Sequence, residues 1–354
     1  MRRKFSASVQ PVISRLLKRV IQPKISENAS EVIELSPATT RFSPSAICLE
    51  EEFSRAISSV PSSSLKEMSK MIPEGEHHHR PTLAFCLEKA LVADGSTYCG
   101  TFYSNESSVK RRPLIVGYLN CYEVMQLSSS AGSEIFFGHW LLDGMCHEMI
   151  AQDRNMESLI HRRPPRFHEP GYREIFDLHP IEERVAHVDK LWVVDDRGVN
   201  DYKLLRFSQI LDRVKQAVRP VADQPKYIFL ARRGGVGRNL VNENDLAEVL
   251  QNYGFYFVDC SNMSPIEIIE KFSAAQIVVS VEGSHQSHAV LSMPRHGAIV
   301  SIQPPDHVNL MSYRAFCDFK SIRQAFIIGE LQDGGFRVDT DRILKLIDLT
   351  IRSI

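Results

Sequence analysis

No apolar run in this 354-residue chain approaches the ~20 residues that a helix needs to cross a bilayer, so no spanning helix is expected. The seven cysteines, Cys48, Cys86, Cys99, Cys121, Cys146, Cys260 and Cys317, are scattered, odd in number and form no C-x-x-C pair. That excludes a disulfide framework and a cysteine-built structural zinc site from the expected classes, and fits a reducing compartment. A surplus of charge is also missing, with 42 Lys and Arg against 43 Asp and Glu. A nucleic-acid partner, which usually calls for a basic excess, is therefore not expected. The N-terminus lacks a continuous apolar core of the signal-peptide kind. What is left is ordinary globular composition, with length for about two domains.

The first notable presence is at the N-terminus. Residues 1–24 hold seven basic side chains and no acidic one. Within them Val12, Ile13, Leu16, Leu17, Val20 and Ile21 recur at helical spacing, with Arg15, Lys18 and Arg19 on the remaining face. Two readings stand: a helix lying on an anionic membrane surface, or a short helix docked on the protein's own body. Residues 25–80 are turn-rich, and His77, His78 and His79 are expected on an exposed loop. From Leu83 to Met125 the texture is strand-like.

The segment FFGHWLLDGMCHEMI (136–150) predicts a helix on which His139, Asp143 and His147 recur at i, i+4 and i+8. The stripe either faces a cleft or is a set of mutually satisfied core groups. Past the proline-broken stretch HRRPPRFHEPG (161–171), short apolar strands alternate with helices to the C-terminus. That alternation predicts βαβ units and a parallel sheet covered on both faces.

Ligands of such a sheet bind beyond the carboxyl ends of its strands. Two loops there carry more polar equipment than turning requires. ARRGGVGRNLVNEND follows the strand at Tyr227–Leu230 and supplies Arg232, Arg233, Gly234, Gly235, Gly237 and Arg238, with Asn242 as an N-cap. It is neither a Walker loop, lacking Gly-Lys-Ser/Thr, nor a G-x-G-x-x-G turn, lacking the third glycine. Glycines let backbone N–H groups approach an anion, and arginines pair with phosphate oxygens. The second loop, IVVSVEGSHQSHAVL (277–291), ends a buried strand on Glu282, Gly283, Ser284, His285, Gln286, Ser287 and His288. Hydroxyls and amides at a helix start suit phosphate, and a carboxylate suits a sugar hydroxyl. The two turns together are expected to form one nucleotide-sugar pocket. The capping box Ser264-Pro265-Ile266-Glu267 is explained by helix initiation alone.

In order along the chain, Arg232, Arg238, Asn242-Glu243, Gly254-Phe255, Phe272-Ser273-Ala274-Ala275 and Glu282-Gly283-Ser284, with His139-Trp140-Leu141 and Asp143 upstream, resemble glycosyltransferase family 61. This is the group once described as capsular-polysaccharide-biosynthesis-like, and the resemblance runs from about residue 135 to 305. One position departs: the family commonly has His-Gly-Ala where this chain has Glu282-Gly283-Ser284. The resemblance implies an α/β GT-B architecture, two Rossmann-like domains facing a cleft, with the parallel sheet in the C-terminal one. It also implies inverting sugar transfer to a hydroxyl of a glycan or glycolipid acceptor, without cofactor or essential metal.

The expected division is a basic segment and linker at 1–80, an acceptor-side domain at 81–220, a nucleotide-sugar domain at 221–340 and a closing helix at 341–354. Donor-binding residues are expected to be Arg232, Arg233, Arg238, Asn242, Glu243, Glu282, Gly283, Ser284 and His285, with His139 or Asp143 as general base. The alternatives are a catalytically silent nucleotide-sugar or glycan-binding module of the same fold and, more remotely, another α/β enzyme such as a methyltransferase. The expected location is the cytoplasm, with residues 1–24 against the inner face of the membrane.

Overall fold

A computed structural model describes residues 2–21, 24–106, 116–218, 223–232, 237–310 and 312–354, the side chains of 2–7, 17–21, 116, 118 and 119 excepted. The chain divides into two compact units. One comprises residues 1–39 and 79–210, the other 40–78 and 211–354.

The first unit is built on a nine-stranded sheet. Its elements are β1 (Arg2–Ser8), α1 (Gln10–Ile21), β2 (Glu31–Ser36), β3 (Thr82–Ala93), β4 (Ser96–Cys99), β5 (Phe102–Asn105), β6 (Val116–Leu127), α2 (Met145–Asp153), β7 (Ser158–His161), β8 (Ile181–Glu183), β9 (Val185–Asp195) and α3 (Asp201–Ala217). The strand order is β8-β7-β6-β9-β3-β4-β5, with β1 on β6 and β2 on β3. From β8 to β9 the strands run parallel, and β9 then meets β3 antiparallel. This differs from the Rossmann-like domain expected here, and the reason is local. Asp94 (φ 47°) and Gly95 (φ 73°) close β3 onto β4 as a two-residue hairpin, and their Asp-Gly pair suits the positive φ such turns need. Leu87, Val188 and Leu191, all 0% exposed, lie in the core under β3 and β9.

In the second unit β10 (Tyr227–Leu230), α4 (Glu243–Asn252), β11 (Tyr256–Val258), α5 (Pro265–Phe272), β12 (Ile277–Val281), α6 (Gln286–Ser292), β13 (Ala298–Gln303), β14 (Arg323–Ile328) and α7 (Thr340–Ile351) follow the expected alternation. The sheet order is β11-β10-β12-β13-β14, parallel throughout. Every residue of β12 is buried, as a strand covered on both faces requires. Ser264 and Glu267 form the expected reciprocal cap of α5.

Two parts of this unit were assigned elsewhere from sequence. Ile343, Leu346 and Ile347 of α7 share one core with Val300, Ile302, Ala325 and Ile327, so the closing helix belongs to the sheet. Residues 40–78, expected as linker, contribute Ile47 to that core. Buried Glu52 accepts from the Ile328 N–H at 2.7 Å and from Arg342 Nη2 at 2.7 and 2.6 Å. His77–His79 lie in a strand, Gly75–His79, paired with Thr39–Ser43, instead of in a loop. No helix among the described residues is long and apolar enough to cross a membrane.

Candidate functional site

In the first unit the helix that ends as α2 begins at Phe137 and passes through a π-helical turn at Trp140–Gly144. Turns of this kind are frequent at functional sites. His139 precedes the turn and Asp143 lies within it, and His139 Nδ1 meets Asp143 Oδ2 at 3.1 Å. Behind them, Lys203 Nζ on α3 donates to Asp143 Oδ1 at 2.9 Å and lies 3.7 Å from Asp196. Asp196 in turn takes two hydrogen bonds from Arg206, each 3.0 Å, and one from Thr82 Oγ1 at 2.8 Å.

The electrostatics follow from this order. Burial pushes the Asp143 carboxyl up, but Lys203 and His139 outweigh it and hold it well below its ordinary value. The hydrogen bond that His139 donates to ionised Asp143 raises His139 above its ordinary value of 6.5, against burial. Because an ionised carboxylate only accepts, Nδ1 of His139 carries the proton, and Nε2 is left with a lone pair. His139 keeps 46% of its side-chain surface exposed, whereas Lys203 keeps 2%. His147 leaves the expected stripe. It is buried, which pushes it down to about 4.

In the second unit the chain starts at β10, runs outward to β11, then crosses back to β12 on the other side of β10. This reversal opens the crevice where doubly wound sheets bind ligands. The turns after β10 and β12 are the two expected to converge, and they do. A Cβ built on Gly283 would lie 3.1 Å from Arg232 Nε and 3.0 Å from His285 Nδ1. Gly283 thus allows a close approach that a side chain would tighten, pushing Arg232 or His285 aside by a few tenths of an ångström.

Around it, Arg238 pairs with Glu282, and Asn309 Nδ2 donates to the other carboxylate oxygen of Glu282 at 2.9 Å. Arg232 Nη1 donates to the Gly237 carbonyl at 2.6 Å. Arg238 adopts φ 54°, a left-handed conformation that side chains rarely take and that gathers at ligand sites. His285 Nε2 meets Ser280 Oγ at 2.7 Å. Burial, then Arg232 and Arg238, push His285 down to about 3, so it is neutral.

The remaining expected residues divide. Ser284 is half-buried, and its carbonyl accepts from Ser287 Oγ at 2.7 Å. Asn242 makes no side-chain cap to α4. Its amide instead clamps Val338, donating to the carbonyl at 2.9 Å and accepting from the N–H at 3.1 Å. Glu243 accepts from the Arg232 N–H at 3.1 Å. With Asp245 it places two acids in the first turn of α4, so that helix start is already served by its own carboxylates. Arg233, Gly234 and Gly235 lie outside the described residues.

Sequence reasoning missed Lys203, Asp196, Arg206, Ser280 and Asn309. Lys203 left a signal, since it occupies the apolar stripe of α3 with Phe207, Ile210 and Val214, where a lysine needs a buried partner. Among the described residues no three His, Cys, Asp or Glu side chains gather as a metal-binding group.

Doubly wound α/β units hold their ligands at such a reversal point, where this one has arginines and a close-approach glycine. Residues 137–300 match the Glycosyltransferase 61 family model, a span that holds His139, Asp143, Lys203, Arg232, Arg238 and Glu282. No curated protein matches the sequence.

Among solved structures, the dodecameric iron-containing heptosyltransferase TibC in complex with ADP-D-beta-D-heptose aligns over 78% of this chain and 94% of its own. Identity is 8% and TM-score 0.35. TibC from enterotoxigenic E. coli gives the same figures. A flavo di-iron protein from Thermotoga maritima covers 74% of this chain and 67% of its own, at 11% identity and TM-score 0.27. At such scores these likenesses decide nothing about activity.

Proposed function

We propose that the protein is an inverting glycosyltransferase that moves a sugar from a nucleotide-sugar donor to a hydroxyl of a glycan or glycolipid acceptor. The observation that carries the reading is the convergence of Arg232, Arg238 and Glu282 on Gly283 at the reversal point of the parallel sheet. In this reading the guanidiniums of Arg232 and Arg238 take the charge of the diphosphate as it leaves. Glu282 orients a hydroxyl of the donor. The acceptor oxygen attacks the anomeric carbon, the bond from that carbon to the diphosphate oxygen breaks, and His139 Nε2 takes the acceptor's proton. Asp143 fixes the tautomer of His139 and does not itself receive the proton. The family resemblance adds the product class, a surface or capsular polysaccharide or its lipid-linked precursor.

The Arg238–Glu282 pair also favours a second reading, a silent binding module, because the carboxylate already occupies a guanidinium that a diphosphate would use. Incubation with uridine, guanosine, cytidine and adenosine diphosphate sugars, with nucleotide release as readout, separates the two. Slow release by the wild type that Arg232→Ala abolishes supports transfer. Binding without release, with acceptor sugars present, supports the silent module.

A further inference from the structure

Over residues 9–16, the part whose side chains are described, helix α1 is mounted with its amphipathic pattern reversed. Gln10, Ser14 and Arg15 face the protein, beside buried Pro11. Ser14 is 0% exposed and donates from Oγ to the Gly100 carbonyl at 3.0 Å. Gln10 Nε2 reaches the same carbonyl at 2.5 Å, and Arg15 Nη2 donates to the Tyr98 hydroxyl at 2.7 Å. All three contacts fall on the β4–β5 hairpin. Val9, Ile13 and Leu16, at i, i+4 and i+7, stand in solvent at 53%, 44% and 57% exposed. An ordinary surface helix buries that stripe and shows its polar face, so the stripe has something else to meet.

Charge says what. The segment carrying the stripe has Arg2, Arg3, Lys4, Arg15, Lys18, Arg19 and Lys24, and no acid before Glu27. A second copy of the chain would bring this cationic segment against itself. An anionic phospholipid surface would meet the apolar stripe with acyl boundary and the basic residues with headgroups. We infer that α1 is an interfacial anchor whose Val9–Ile13–Leu16 stripe inserts into anionic membrane while the hairpin holds the helix from behind. It lies on the bilayer and does not cross it, in keeping with the absence of a spanning helix among the described residues. The inference is independent of the transfer reading.

The test is flotation of the full chain with vesicles of phosphatidylcholine alone and of phosphatidylcholine with phosphatidylglycerol. Binding only to the anionic vesicles, weakened by salt, is expected. Ile13→Glu/Leu16→Glu should weaken it about tenfold or more, and Lys18→Gln/Arg19→Gln should weaken it about as much. The Ile13→Glu/Leu16→Glu protein should melt within the scatter of repeats of wild type, since those two positions are exposed. Three results would overturn the inference: wild type that ignores anionic vesicles, a doubly substituted protein that floats like wild type, or a stripe that instead mediates a dimer dissolved by Ile13→Glu/Leu16→Glu.

Discussion

The two polar constellations contain similar ingredients in opposite arrangements. Around His139 the cations stand at the back. Lys203 and Arg206 are sealed in the core, where they hold Asp143 and Asp196 ionised, and the most exposed group is the imidazole, at 46% against 31% for Asp143. Around Gly283 the cations stand at the front. Arg238 keeps 25% of its side chain exposed while its partner Glu282 keeps 7%, and the imidazole of His285 is held neutral behind them. The histidines accordingly shift in opposite directions, His139 up and His285 down to about 3. In the proposed reading, placement, more than the count of charges, suits the first site to accept a proton and the second to receive an anion.

The comparison can be broken most sharply at His139. His139→Ala should cut transfer by about 10²–10⁴-fold and leave donor affinity unchanged, measured by nucleotide release beside calorimetric titration. Loss of donor binding would merge the two sites. Next comes Lys203→Ala, which takes the buried ammonium away from Asp143 and Asp196 and leaves them to His139 and to Arg206. Denaturant unfolding should show a loss of roughly 3–5 kcal/mol. Arg232→Ala should weaken diphosphate binding by about 1.5–3 kcal/mol, the worth of hydrogen bonds to a charged group, with stability nearly unchanged.

The pH dependences sharpen the comparison further. A base must be neutral to work, so activity should rise with pH through a midpoint above 6.5, and Asp143→Asn should move that midpoint down. His285 has the reverse sign. Its folded pKa lies below the unfolded one, so stability is intact above 6.5 and falls as pH drops from 6.5 toward 3. His285→Gln should flatten that part of the stability profile, and an unchanged slope would place His285 in water.

The parallel sheet was legible because fully buried strands such as β12 read as unbroken apolar runs between helix signals. The convergence of the two turns was legible from the rule that ligands gather at carboxyl strand ends. Strand order was not, because the choice of side at each crossover leaves no local mark. Other misses share one cause, a partner far away in sequence. Asn242 has every feature of an N-cap, yet its amide is claimed by Val338, 96 residues on. The three histidines form a strand because Thr39–Ser43 pairs with them. Asp94-Gly95 is the opposite case, a strong local hairpin signal that was passed over. The π-helical turn, which puts one extra residue into the helix between His139 and His147, carries no sequence signature at all.

Isothermal titration of uridine, guanosine, cytidine and adenosine diphosphates into the wild type and Gly283→Val tests the central claim most directly. The account predicts that at least one diphosphate binds the wild type and that valine, forced against Arg232 and His285, abolishes its binding without unfolding the protein. Equal binding to both proteins would place the diphosphate site elsewhere and contradict the account.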